Sequence, residues 1–287
     1  MKKQDATRPL QEGKQGRGTT PLEPVPVPVP VRTAGVLAAA LRDVGQQRQN
    51  NQDSVYALVS SIPRGEGDTT LGLFLVADGM GGHAAGEVAS RIALVSVVRY
   101  VLADLLVPAL DEAFSNGIQS VVVGAVEEAN RAIWEYARSY GLDLGTTCTM
   151  ALVLGRTVYI GHVGDSRAYL LDQQGLRPLT DDHSTVGRLI QLGQLDYEDT
   201  REHPLRSQLY RTVGQSPQVT VDFAQYPLGE ASHLLLCSDG LWSSIDEAAM
   251  QAAILKAPSP QDACRTLIDL ANAAGGDDNI SAVVVQL

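Results

Sequence analysis

Cys148-Thr-Met-Ala-Leu-Val-Leu154, Thr157-Val-Tyr-Ile-Gly161 and Arg167-Ala-Tyr-Leu-Leu171 follow one another with only short Gly- and Asp-containing segments between them. Each run is apolar or alternating, rich in residues that suit a pleated surface, and bounded by turn formers, so each predicts a strand. Three consecutive strands disfavour a simple alternating βαβ chain and favour antiparallel sheets with packed helices. Further strands are predicted at 71–76, 233–237 and 280–286. Two long helices are predicted between the early and later strands. One covers about 84–106, with Val88, Ile92, Val95 and Val98 or Val101 at helical spacing; the other covers about 121–139, with Val122, Ala125, Ala129, Ile133 and Tyr136 on one face. Shorter helices fit 185–192, 246–255 and 260–273, the last opened by Ser259-Pro260. No internal repeat is visible.

The chain has 287 residues, enough for one large domain or two small ones. Its hydrophobic content of 44% and charged content of 19% suit a folded enzyme. The longest apolar stretches, 92–98 and 234–237, fall short of a bilayer span, and no signal peptide marks the first thirty residues, so the expectation is a cytoplasmic protein without membrane insertion. A formal charge of −11 argues against nucleic-acid binding, which needs a basic face. Cys148, Cys237 and Cys264 are odd in number and lack paired spacing, which predicts buried reduced thiols. Residues 1–33 are polar and then alternate Pro and Val from Pro24 to Pro30, predicting a disordered or extended proline-rich tail ahead of a globular part at 34–287. A monomer is the expectation.

Five segments place an Asp at a strand end beside Gly, Ser or Asn. They are Asn50-Asn-Gln-Asp53-Ser54, Val76-Ala-Asp78-Gly79-Met-Gly-Gly-His83, Gly164-Asp165-Ser-Arg167, Cys237-Ser-Asp239-Gly-Leu-Trp242 and Gly275-Gly-Asp-Asp278-Asn279. Small neighbours let carbonyls and water approach an ion closely. Hard cations such as Mg2+ and Mn2+ prefer oxygen ligands. Several carboxylates gathered without cations would repel one another. Singly, each motif reads more readily as a plain turn than as a ligand; their recurrence and order are what point to metal chemistry.

Taken together, these motifs resemble the type-2C, metal-dependent protein serine/threonine phosphatases, particularly the compact bacterial kind. The resemblance spans about 43–287 and includes Arg48-Gln-Asn-Asn-Gln-Asp-Ser54, Asp78-Gly-Met-Gly-Gly-His83, Gly145-Thr-Thr147, Gly161-His-Val-Gly-Asp-Ser-Arg167, Leu179-Thr-Asp-Asp-His-Ser184, Ser238-Asp-Gly-Leu-Trp242 and Asp278-Asn279. It implies an α+β fold, a four-layer αββα sandwich of two antiparallel sheets flanked by helices. It also implies two to three divalent cations, Mn2+ or Mg2+. Asp78 would bridge two of them with the Gly79 carbonyl as a further ligand, Asp239 and Asp278 would complete the first site, and Asp53 would hold the second largely through water. Asp165, with Asp239, would bind a third, looser ion, while Asp277 is read as a solvated turn residue. Arg48 would grip the substrate phosphate through its planar, permanently charged fork. The implied reaction is direct hydrolysis of phosphoserine and phosphothreonine by cation-activated water, without a phosphoenzyme.

Two positions depart from the better-known animal pattern. Gln52 replaces a Glu, weakening the second site, and Met80 replaces a candidate general-acid His. His83 is the nearby alternative acid, or else orients the following helix. His162 reads as a strand residue bonded beneath the site and His183 as a residue leading into a helix. Residues 181–226 resemble the family's mobile flap. The implied partners are phosphoproteins and a serine/threonine kinase whose work the enzyme reverses. Two other readings stay open on the sequence: a phosphatase-like binding module without strong catalysis, and a phosphoesterase for small molecules.

Overall fold

The computed structural model describes residues 35–287 except 65–66, 82–84, 112–116, 196–204 and 206–207. The proline-rich tail, His83 and part of the 181–226 segment therefore lie outside the described residues.

Two antiparallel sheets carry the fold. Strands β1 (Leu37–Asp43), β2 (Asp53–Arg64), β3 (Gly67–Gly81), β4 (Leu144–Thr146), β5 (Cys148–Leu154), β6 (Thr157–Val163), β7 (Arg167–Asp172), β8 (Gly175–Pro178), β9 (Asp222–Pro227), β10 (His233–Cys237) and β11 (Ile280–Gln286) divide into a six-stranded sheet, β2-β3-β5-β6-β9 with β4 on β3, and a five-stranded sheet, β1-β11-β10-β7-β8. Helices α1 (Ala85–Val101), α2 (Val107–Leu110) and α3 (Ile118–Tyr140) accompany the first sheet. Helices α4 (Thr185–Gln191), α5 (Asp239–Trp242), α6 (Glu247–Lys256) and α7 (Pro260–Ala273) follow, and α5 to α7 pack on the second sheet.

Residue alternation explains the layering. In β10, Leu234 and Leu236 face the other sheet while Leu235 and Cys237 face the helices; in β11, Val283 and Val285 oppose Ala282 and Val284 in the same way. A strand buried on both faces reads as a continuous apolar run, and these two strands do so. The inter-sheet core adds Phe74, Val76, Ala151, Val153 and Ile160 from the first sheet. The outer core beneath α1 and α3 takes Leu71, Leu73, Leu75, Met150 and Leu152 with Ala93, Val97, Val126 and Ile133. The result is the predicted four-layer αββα sandwich.

The predicted helix at 84–106 runs further than its periodicity suggested. A wide π turn at Leu102–Leu106 links α1 to α2, just ahead of Pro108 in the first turn of α2. Proline has no N–H to return to the preceding turn, which suits a locally widened helix. The joined rod, Ala85–Leu110, is long and apolar enough to cross a bilayer by composition, yet Ala89, Ala93, Val97, Val101, Leu105 and Ala109 are buried in the core. Ser259 caps α7 as expected, its Oγ accepting from Asp262 N at 3.2 Å, with Pro260 in the first turn. Asp246 caps α6 in the same manner, accepting from Ala249 N at 2.7 Å.

One buried amide fastens the loops at the open end of the sandwich. Asn279 accepts from Gln52 N at 2.8 Å and donates to Val44 O at 2.9 Å and Asn50 O at 3.0 Å. It is 5% exposed, so water cannot replace these bonds without rearrangement. Replacing Asn279 with Ala leaves three backbone groups unpaired, and we expect a loss of roughly 1–3 kcal/mol or more in urea unfolding; an unchanged midpoint would contradict the clamp.

Candidate active site

The predicted carboxylates arrive from both sheets. Asp53 opens β2 directly opposite Asp78 in β3. It has no exposed surface, and its Oδ2 accepts from Ser281 Oγ at 2.7 Å and Ser238 Oγ at 2.9 Å, both belonging to the other sheet and its loop. Arg42 donates to the Asp53 backbone oxygen. Asp78 is fixed through its backbone: its N–H donates to Thr147 Oγ1 at 2.9 Å, and its carbonyl accepts from Thr147 N and Thr146 Oγ1, each at 2.8 Å.

Gly79 follows where the start of α1 presses on β3. A Cβ there would lie 2.0 Å from Gly86 O, and one on Gly86 would lie 2.6 Å from Gly79 O, so both backbones require glycine. Ser90, one turn into α1, donates to Gln52 O at 2.6 Å and ties the helix to the Asp53 loop.

From the second sheet, Asp239 is the first residue of α5, immediately after β10. Asp278 precedes β11; its Oδ1 accepts from its neighbour Asn279 N at 2.8 Å and its Oδ2 pairs with Arg48 at 2.7 Å. Asp165 sits in the turn between β6 and β7, 5% exposed. Its neighbour Gly164 has φ +114°, and a Cβ there would strike the Thr147 side chain. The pair Arg48–Asp278 is half-exposed, so it adds little to stability.

These carboxylates perturb one another. Burial pushes Asp53 up to about 7, against the two serine hydrogen bonds that favour its ionised form, with Asp239 and Asp278 adding repulsion. Burial also drives Asp78 well above the carboxylate range, followed by repulsion from Asp53, Asp239 and Asp165 and by a hydrogen bond with Asp239. Asp239 is raised by burial and by Asp278. Asp165 is raised strongly by burial, then by Asp239 and Asp182, while Arg167 opposes. Arg48 is held still more firmly charged, chiefly by its bond to Asp278.

The side chains relieve this repulsion with one another. Asp53 turns to two serines and Asp278 holds Arg48. Among the described residues no three of them close on a single point at metal-binding distance. Two oxygens nevertheless remain buried without any hydrogen-bond partner, Asp53 Oδ1 and Asp239 Oδ1. Buried polar atoms are rarely left unpaired. Two carboxylate oxygens in that condition, within a wholly oxygen donor set, fit hard divalent cations. Above them opens a cleft of about 360 Å³, lined by Arg48, Asp165, Asp239 and Asp278 and walled by Val186, Ile190 and Trp242.

The remaining motif residues separate clearly. His162 is 2% exposed, bonds Thr149 Oγ1 at 2.9 Å and Asp181 O at 3.0 Å, and is pushed down to about 3, chiefly by burial. It is a neutral structural histidine. His183 stands just before the α4 cap Ser184 and bonds Gly164 N at 3.0 Å and Asp222 at 3.0 Å. Cys237 is wholly buried, with its thiol pushed up to about 12 by burial. Asp277 is exposed at the cleft rim. The sequence reading missed Ser238, Ser281 and Asn279 as supports. A small polar residue flanking an Asp motif in an otherwise apolar strand was the available signal.

The comparisons with known proteins agree with this geometry. Residues 45–271 match the family described as protein phosphatase 2C. A serine/threonine phosphatase of Listeria innocua is 34% identical over 249 residues, covering 85% of this chain and 93% of that protein. A protein phosphatase of Streptococcus pneumoniae is 32% identical, covering 86% and 96%. Among solved structures, the Mycobacterium tuberculosis serine/threonine phosphatase PstP superposes with a TM-score of 0.70 at 33% identity, covering 88% of this chain and 99% of that one. A second structure, the PstP catalytic domain in complex with 2 manganese ions, gives 0.72 at 31% identity, covering 88% and 98%. With its family match over most of the chain, its αββα sandwich and its carboxylates gathered where the sheets meet, this protein belongs to the protein phosphatase 2C family.

Proposed function

We propose that the chain is a metal-dependent phosphatase that hydrolyses phosphoserine and phosphothreonine in proteins, opposing a serine/threonine kinase in the cytoplasm as a monomer. What supports this reading is a pair of buried, unpartnered carboxylate oxygens, on Asp53 and Asp239, together with a cleft lined by Arg48, Asp165, Asp239 and Asp278. Asp78, the Gly79 carbonyl, Asp239 and Asp278 would hold one Mn2+ or Mg2+, Asp53 with Asp78 a second, and Asp165 with Asp239 a third, looser ion. When bound, such cations lower the pKa of coordinated water and neutralise charge on phosphoryl oxygens.

The chain's own residues do the rest. Arg48 is exposed enough to leave Asp278 and present its fork to the phosphate. Release of Asp278 from Arg48 frees that carboxylate as a ligand. Ser238 and Ser281 keep one Asp53 oxygen oriented while the other faces the site. Ser54, Ser166 and Ser238 are buried and do not line the cleft, and Ser238 donates its hydroxyl hydrogen bond to the Asp53 carboxylate, which favours direct hydrolysis over a covalent intermediate. His83 is our proposed proton donor to the leaving serine or threonine oxygen. Residues 181–226 form the proposed flap, of which α4 supplies one wall of the cleft.

Phosphopeptide hydrolysis should vanish with chelator and return with Mn2+, and peptides should outpace small aryl and metabolite phosphates at equal concentration; inactivity on every phosphoester with Mn2+ present ends the enzyme reading. Asp239→Asn should cost about 100-fold or more in turnover, since a bound cation supplies several kcal/mol of charge stabilisation. Its fold, read by circular dichroism, should be unchanged. Near-normal turnover would show that Asp239 is not a ligand.

Stability of the metal-stripped protein carries a separate signature. A carboxyl raised by folding holds a proton in the folded chain that the unfolded chain has already lost. Between 3.8 and about 7, the range set by Asp53, the unfolded state therefore binds fewer protons and stability falls as pH rises. Chelated wild-type protein should lose stability over that range relative to Asp53→Asn, and Mn2+ at neutral pH should restore it by binding the folded state. Parallel pH profiles for the two proteins would contradict the burial of an acidic Asp53.

A further inference from the structure

The turn at Gly164-Asp165-Ser166 is held from two directions. Its own side of the molecule supplies Thr149 Oγ1, which donates to Ser166 O at 2.9 Å, the Thr147–Ser166 hydroxyl pair at 2.7 Å, and His183, which bonds both backbone groups of Gly164. The carbonyl of Asp165 is taken differently. Trp242 Nε1 donates to it at 2.9 Å from α5, the single helical turn that Asp239 opens. One indole N–H thus bridges the segments at one end of the neighbouring strands β7 and β10 and ties Asp165 to the helical turn that carries Asp239.

The indole cannot swing freely. The Arg167 guanidinium lies 3.5 Å from the ring centroid, and that guanidinium is itself forked onto Asp182 at 2.8 and 2.7 Å and bonded to Tyr169 Oη at 3.1 Å. The Arg167 and Asp182 side chains are only 9% and 10% exposed. A cation over an aromatic face, desolvated and paired on its other edge, makes a stiff stack. Asp182 lies two residues ahead of the Ser184 cap of α4, so the stack reaches the root of the helix that walls the cleft.

We propose that Trp242 is a positioning residue for the looser cation site. Its N–H fixes the distance between Asp165 and Asp239, and its stack on Arg167 holds that distance in step with the wall formed by α4. The inference rests on the metal reading above and adds to it a residue that donates no ligand atom. Groups that orient a ligand from behind commonly govern metal affinity by about 10–100-fold when removed.

Trp242→Phe keeps the ring over Arg167 and removes only the N–H. Calorimetric titration of the full chain with Mn2+ should show the weaker class of sites losing about tenfold in affinity. The tighter class should stay at its wild-type affinity, whatever the lost bond to the Asp165 carbonyl costs the fold itself. In an Asp165→Ala background, where the weaker class is gone, Trp242→Phe should cause no further drop in turnover. Unchanged weak-site affinity, equal weakening of both classes, or a full additional loss in the Asp165→Ala background would each overturn the proposal. A wild-type protein that takes up no Mn2+ would instead sink the metal reading, and this shows before any variant is compared.

Discussion

Asp53 carries a carboxylate into a place with no solvent, at the seam where the first sheet meets the second, and the molecule stabilises it only in part. Two serine hydroxyls from the opposite sheet occupy one oxygen, and the other has no partner. Burying a charge without full compensation is costly. Asp239 and Asp278 increase that cost, so burial and repulsion hold the Asp53 carboxyl above its ordinary range, while Asp278 takes Arg48 as its partner. Such a centre favours any ligand that brings positive charge.

The sandwich is what makes this concentration of charge tolerable. Each sheet is buried on both faces, giving three apolar layers that absorb the strain of one polar seam. Pre-organised dipoles and charges are more effective in such a water-poor setting than in bulk solvent. Asn279, Ser90 and Trp242 then perform related tasks from different sides: each bonds the backbone of a loop that bears or adjoins a carboxylate. The acids are exposed to one another but held by neutral hydrogen bonds, so ligand geometry does not depend on the charge state of the cluster alone.

How much of this was legible in the sequence varied with the kind of signal. The Asp motifs stood out because each sits beside glycine, serine or asparagine at a strand end, and the topology sets Asp53 directly opposite Asp78. Strands β10 and β11 were equally plain, being continuous apolar runs. Strand β1 was not, since Leu37-Ala-Ala-Ala-Leu has no strand preference of its own and is set by pairing with β11. Strand β2, which ends at Pro63 and Arg64, gains its order from a long pairing with β3. Strand β9 was read as part of the flap, although Asp222-Phe-Ala-Gln-Tyr alternates and pairs with β6. The supporting role of Ser238 and Ser281 lay beyond reach because a serine hydroxyl has no pattern until the second sheet places it 2.9 or 2.7 Å from a carboxylate.

Crystals soaked in manganese and measured at the metal's absorption edge test the central claim most directly. The account predicts anomalous peaks at the sheet seam, within bonding distance of Asp78 and Asp239, with Asp278 released from Arg48 and at least one peak served by the unpaired Asp53 oxygen directly or through water. Strong manganese peaks elsewhere on the surface, with the Asp78–Asp239 and Arg48–Asp278 bonds intact, would contradict it.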